Sequence, residues 1–224
     1  MSKELMSRRT FCVLGAAGAA AALSGCVNDG SFQTAALGYR PVPQLGSPER
    51  EPFRLPPVDM AKIPTEFRRQ YVTHSGRYDP GSIVVDTSSR HLYLIVDGTT
   101  AIRYGIGVGR EGFAWGGRAR IGRKAVWPTW TPPARMIQRE PELRQWAGGM
   151  PGGTNNPLGA RALYLYKGGR DTLYRLHGTN NPASIGQAMS SGCIRLLNQD
   201  AIDLYERVQV GAPVIVVQGG NAQV

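Results

Sequence analysis

The residues best suited to chemistry lie in one run, HGTNNPASIGQAMSSGC, from His177 to Cys193. A thiol attacks a carbonyl as the thiolate, and a free cysteine titrates near ~8.5. A nearby imidazole can take that proton while a third group holds the ring in orientation. Gly178 follows His177 and leaves its carbonyl approachable, so that oxygen is a candidate partner for the far ring nitrogen. Ahead of the cysteine, Ser190-Ser191-Gly192 is a tight polar approach in which Gly192 permits unusual dihedrals. Backbone N–H groups near Gly192 and Cys193 can then point at a developing oxyanion. Arg195 is a fixed cation suited to a substrate carboxylate or to bracing the loop. Spacing alone leaves two readings open: a nucleophile with its base, or a small buried cysteine beside an unrelated histidine.

Other chemistry finds less support. The histidines are His74, His91 and His177, with no C-x-x-C and no H-x-x-x-H, so no metal site is expected. Gly107-Val108-Gly109-Arg110-Glu111-Gly112 matches G-x-G-x-x-G, a pattern that binds dinucleotides when a helix opens after it. Here Phe113-Ala114-Trp115-Gly116-Gly117-Arg118 follows, which is no helix start. The match reads as a strand end and loop, and no cofactor is expected.

The elements that must position His177 and Cys193 are mainly strands. Ser82–Asp86 and His91–Val96 are β-branched or aromatic runs, and Asp97-Gly98 is a hairpin signal with Ala101–Val108 as partner. Further strands are expected at 121–127, 161–166, 172–177 and 213–218. Helices are expected at 139–146 and at 200–208 behind an Asn198 cap, with Ile202, Tyr205 and Val208 on one face. The expected fold is mainly β, a barrel or sandwich with a few short helices. It occupies residues 79–218, with a short tail at 219–224, and is long enough for one domain with a core.

The N-terminus bears on what the thiol means. Residues 1–25 have a basic start, a short apolar centre and small residues near the end, the marks of an export signal. The apolar run from Phe11 to Gly25 is shorter than the roughly 20 residues a membrane span needs. Ser7-Arg8-Arg9-Thr10-Phe11 resembles the twin-arginine motif, and Leu23-Ser24-Gly25-Cys26 resembles a lipobox whose cysteine is lipidated. These resemblances imply a periplasmic protein anchored through Cys26, with outer-membrane sorting favoured over inner. Cys12 leaves with the signal and Cys26 carries lipid, so Cys193 is the one free thiol and no disulfide is expected. Residues 26–78 hold seven prolines between Pro41 and Pro64 and read as an extended tether, with a short helix at Thr65–Tyr71. The net charge of +10 suits an anionic polymer. Scattered basic residues without a recognition motif argue against nucleic acid.

His177-Gly178-Thr179, Ile185-Gly186 and Ser190-Ser191-Gly192-Cys193-Ile194-Arg195-Leu196, then Asn198-Gln199-Asp200-Ala201, resemble the signature of the L,D-transpeptidase (YkuD-type) catalytic domain. Met150–Leu163 and Trp127–Pro133 are similar to the segments that precede it. The resemblance implies a β-rich fold and peptidoglycan chemistry. Cys193 would take the acyl group of a tetrapeptide stem as a thioester, release D-alanine and pass the acyl group to an amine of a second stem, giving a 3→3 cross-link. It implies His177 as base, Gly178 as the residue orienting the ring, Gly192 and Cys193 as the oxyanion loop, and Arg195 as the basic residue after the nucleophile. Many relatives carry histidine where this chain has Ser191. Three alternatives stand beside this reading: a carboxypeptidase or a lipoprotein-to-peptidoglycan ligase with the same thioester, and a non-catalytic wall-binding lipoprotein.

Overall fold

The computed structural model describes residues 40–74, 77–109, 116–189 and 193–218. The expected export signal at 1–25, the expected lipidation of Cys26, the first part of the expected tether and the tail at 219–224 lie outside the described residues.

The described residues form eleven strands: β1 (Gln70–Thr73), β2 (Ile83–Asp86), β3 (His91–Ile95), β4 (Thr100–Gly105), β5 (Gly107–Gly109), β6 (Gly117–Val126), β7 (Arg161–Lys167), β8 (Arg170–His177), β9 (Ala188–Met189), β10 (Ile194–Arg195) and β11 (Pro213–Val217). They join one mixed sheet in the order β1-β4-β3-β2-β11-β6-β7-β8-β10-β5-β9. β4 stands second and β5 tenth, yet Ile106 alone separates them along the chain. A single residue spans only about 3.8 Å between α-carbons, so the sheet must curl until its two ends meet. Curling encloses a core to which β2, β3, β4, β6, β7, β8 and β11 contribute alternate residues, closed by Ala201 and Leu204 of helix α2 (Asn198–Arg207). The second face of β2, β3, β4 and β11 is also apolar, with Val84, Tyr93, Ala101 and Ile215 buried together.

The mainly β fold agrees with the strand pattern, and four local expectations do not hold. The expected strand 101–108 is interrupted at Ile106 and becomes β4 and β5. The expected helix 139–146 is helix α1 (Ala134–Arg139) followed by a 3-10 turn, Pro141–Trp146. Proline at 141 drives Glu140 out of helical geometry, to φ −131° and ψ 76°. Leu197, not Asn198, stands at the N-cap of α2 and makes no side-chain cap bond. The helix expected at 65–71 is one 3-10 turn, Thr65–Phe67, then β1, because Tyr71, Val72 and Thr73 pair with the open edge of β4.

The segment from residue 40 to 74, assigned to the tether on composition, lies packed on the domain. Val42, Ile63 and Val72 are buried, and His74 is 2% exposed. The carboxylate of Glu51 accepts from Trp127 Nε1 at 2.6 Å and Arg161 Nη1 at 2.8 Å. Sparse apolar residues, each finding its own cluster, suffice because polar anchors fix the strap: Glu51 on Arg161, and Arg69 paired with Asp200 of α2 at 3.2 Å. The prolines suit that extended path.

Candidate active site

β8 ends at His177, which points to the sheet face opposite the core residue Leu176 and is 3% exposed. Its Nδ1 lies 2.6 Å from the carbonyl oxygen of Gly178. A carbonyl only accepts, so Nδ1 carries the proton and Nε2 is left as the acceptor. β10 runs parallel to β8, with Ile194 opposite Leu176 and Arg195 opposite His177. The Leu196 N–H donates to the His177 carbonyl at 2.8 Å, and the Gly109 N–H to the Cys193 carbonyl at 3.3 Å. Cys193 therefore enters β10 held between β5 and the end of β8. Its side chain is half-buried.

His177, Cys193 and Arg195 share one cavity of about 1040 Å³, which Met136, Leu143 and Trp146 also line. Burial pushes the His177 pKa down from 6.5 to about 4, opposed by the Gly178 bond and helped by the charges of Arg195 and Arg175. The ring is neutral at neutral pH, the state a proton acceptor needs. Burial also lowers the Arg195 pKa, and the charge of Cys193 opposes that shift, so the guanidinium and the sulfur feel one another. The acid limb of kcat/KM is expected near pH 4. A limb near 6.5 in a pH-rate profile would show that the ring is not held neutral. The shift weakens the fold in acid: between 6.5 and about 4 the unfolded chain binds more protons. This contribution to stability is whole above 6.5 and declines as pH falls toward 4.

The backbone behind His177 is braced from α2. Asn198 Oδ1 accepts from the Ala160 N–H and Asn198 Nδ2 donates to the Thr179 carbonyl, each at 2.9 Å. The close approach leaves no space for a side chain at Gly178, where a Cβ would meet Asn198 Oδ1 at 2.1 Å. Gly178→Ala is expected to displace the carbonyl that orients His177 and to lower kcat on the order of 10²-fold. A steady-state assay showing less than a threefold loss would contradict that role.

The structure brings His177, Cys193 and Arg195 to one cavity, with Gly178 against the His177 ring. Ser191 and Gly192 lie outside the described residues. Gly107–Gly109 forms β5, and the remainder of the glycine pattern is outside description. Among the described residues no group of three or more His, Cys, Asp or Glu side chains is placed to hold a metal. His91 Nε2 pairs with the Glu66 carbonyl at 3.0 Å, and His74 stacks on Tyr78.

Two contributors went unread in the sequence. Asn198 suits a helix cap by residue type, and only its place beside the Cys193 signature points at the site. Leu173 rides an irregularity in β8, where Tyr164 pairs with Arg175 but Tyr166 pairs with Asp171. It lines the cavity, is 75% exposed and has φ 65°, a strained value for a leucine. Bonds from the Leu173 N–H to Asp171 Oδ1 and from Thr172 Oγ1 to the Leu165 carbonyl hold this bulge. No local sequence signal marks it.

Residues 80–216 match the family model of the YkuD L,D-transpeptidase catalytic domain. The probable L,D-transpeptidase YbiS of Escherichia coli K12 is 40% identical over 158 residues, covering 68% of this chain and 47% of that protein. The probable L,D-transpeptidase ErfK/SrfK of the same organism is 36% identical over 141 residues, 60% of this chain and 43% of that one. The chain thus spans about half the length of these curated relatives. A solved structure from Brucella melitensis, described as a probable carnitine operon oxidoreductase, is 47% identical with a TM-score of 0.50. It covers 71% of this chain and 99% of that one, and its name speaks for that protein alone. With the family model spanning the sheet from β2 to β11 and both His177 and Cys193, this chain belongs to the L,D-transpeptidase catalytic-domain family.

Proposed function

We propose that this protein is a peptidoglycan L,D-transpeptidase that forms 3→3 cross-links through a thioester on Cys193. One observation carries the reading: a neutral His177, protonated on Nδ1 by virtue of the Gly178 carbonyl, lines the same cavity as Cys193. His177 Nε2 takes the thiol proton as Cys193 Sγ attacks the carbonyl between the third stem residue and D-alanine. Backbone N–H groups of Gly192 and Cys193 receive the oxyanion, and Arg195 faces a substrate carboxylate. The C–N bond breaks, D-alanine leaves with the proton from His177, and a thioester remains. An amine of a second stem then loses its proton to His177 and attacks the thioester. The amide forms, and the thiolate leaves to regain that proton. The resemblance of residues 1–26 to an export signal ending in a lipobox supports a periplasmic setting for this chemistry, with Cys26 as the tether.

The test is to incubate the full-length chain with defined tetrapeptide muropeptides and weigh the products. Cross-linked dimers with equimolar D-alanine are expected. Tripeptides without dimers would make water the acceptor and the protein a carboxypeptidase. Products seen only with an added protein amine would make it a ligase. No release of D-alanine under any condition would overturn the thioester reading.

A further inference from the structure

The sheet face that carries His177 is lined with arginine well beyond the cavity. On β6, Ala119 and Ile121 point into the core, so Arg118 and Arg120 point to the second face. The register shift between Ile121 and Arg123 carries the row onward, bringing Arg123 opposite Tyr164 of β7, which in turn pairs with Arg175 of β8. Leu163, Leu165 and Leu176 occupy the core, so Tyr164 and Arg175 share the face of His177. The guanidinium carbons of Arg123 and Arg175 lie 3.6 and 4.3 Å from the Tyr164 ring centroid. Stacking of this kind orients a guanidinium while its edge N–H groups remain able to pair with carboxylates. Arg118, Arg120 and Arg123 are exposed. Asp171, held by Arg175 at 2.7 Å, is the one acidic residue in β6, β7, β8 and β10.

We propose that the Arg118, Arg120 and Arg123 row, on the sheet face that carries His177, is a docking surface for the carboxylate-bearing stem peptides of the cell-wall polymer. It holds neighbouring stems of a strand while one stem occupies the cavity, and it rests on the function proposed above. Charge complementarity selects an anionic partner, and the face shared with His177 selects the wall over a bilayer. An anionic membrane pressed on this face would cover the cavity through which substrate must enter. The same basic face on the core side of the sheet would be useless, since its residues there are packed against α2.

The test uses the full-length chain carrying Cys193→Ala, so that binding is scored without turnover. It is cosedimented with purified sacculi, with sacculi whose carboxylates have been amidated, and with phosphatidylglycerol vesicles. The added substitutions R118E, R120E and R123E are expected to weaken sacculus binding on the order of tenfold. Amidated sacculi should lose the parent to a similar degree. The matching triple substitution to glutamine, which retains side-chain bulk, should give an intermediate loss and carries the test if the glutamate variant does not fold. Equal binding of parent and both variants to native sacculi overturns the proposal. So does undiminished binding to amidated sacculi, or a loss confined to vesicles. The same substitutions are then made with Cys193 intact, and D-alanine release and dimers are measured. Docking through this face without a thioester refutes the catalytic reading alone. Cross-linking with sacculus binding that ignores the substitutions refutes the docking surface alone.

Discussion

Cys193→Ala should yield a folded protein that releases D-alanine from tetrapeptide muropeptides on the order of 10⁴-fold more slowly than the parent. The proposed route runs through one sulfur, and no other thiol lies among the described residues. Removing a small, half-buried side chain costs little packing, so the thermal unfolding midpoint should barely move. Cys193→Ser sharpens the point. A hydroxyl is a far weaker acid than a thiol, and a His177 held near pKa 4 is a poor base for it. Serine is therefore expected to rescue less than one per cent of turnover on the logic of nucleophile activation. Retained turnover in the alanine variant, read by D-alanine release, would remove Cys193 from the mechanism.

Glu51→Ala should destabilise the fold by roughly 3–5 kcal/mol, the usual cost of leaving one partner of a buried pair behind. The side chains of Arg161 and Glu51 are 6% and 7% exposed. Burial alone would raise the Glu51 pKa, but hydrogen bonds from Arg161 and Trp127 and the Arg161 charge outweigh it and hold the carboxyl below its ordinary value. Its contribution is therefore complete above the ordinary carboxylate pKa and is lost as pH falls through the lower folded value. Arg161 begins β7, its carbonyl accepts from the Gly178 N–H at 2.9 Å, and its Nη1 donates to the Ala160 carbonyl. Losing Glu51 thus loosens the backbone that orients His177 as well as the strap. Urea titration of parent and variant measures the effect, and a difference under 1 kcal/mol would show that the pair is not a structural anchor.

The apolar strands β2, β3, β7 and β11 are legible because alternation and β-branching are local properties of a few residues. His177, Gly178 and Cys193 are legible for a related reason: one short run contains the base, its orienting carbonyl and the nucleophile. Asn198 misled because a residue that suits a helix start also suits a bridge between Ala160 and Thr179, and local preference cannot choose between them. β1 misled because its partner, β4, lies thirty positions onward and decides the conformation by pairing. The strap is invisible for the same reason, since proline-rich composition does not reveal that Glu51 will meet Arg161 across 110 positions.

By itself the sequence determined the family, the mainly β class, and the residues able to exchange a proton and attack a carbonyl. The tertiary structure alone decided which ring nitrogen of His177 carries the proton, how far burial depresses its pKa, and that the residues from 40 to 74 belong to the domain. It alone placed Arg118, Arg120 and Arg123 together on the face of the site, because Arg123 joins the other two only through the register shift near Gly122 and that face meets His177 only through the pairing of β6, β7 and β8. Types and short spacings are written in the chain. Burial, tautomer and shared faces arise from contacts between segments far apart in it, and exist only once the sheet has closed.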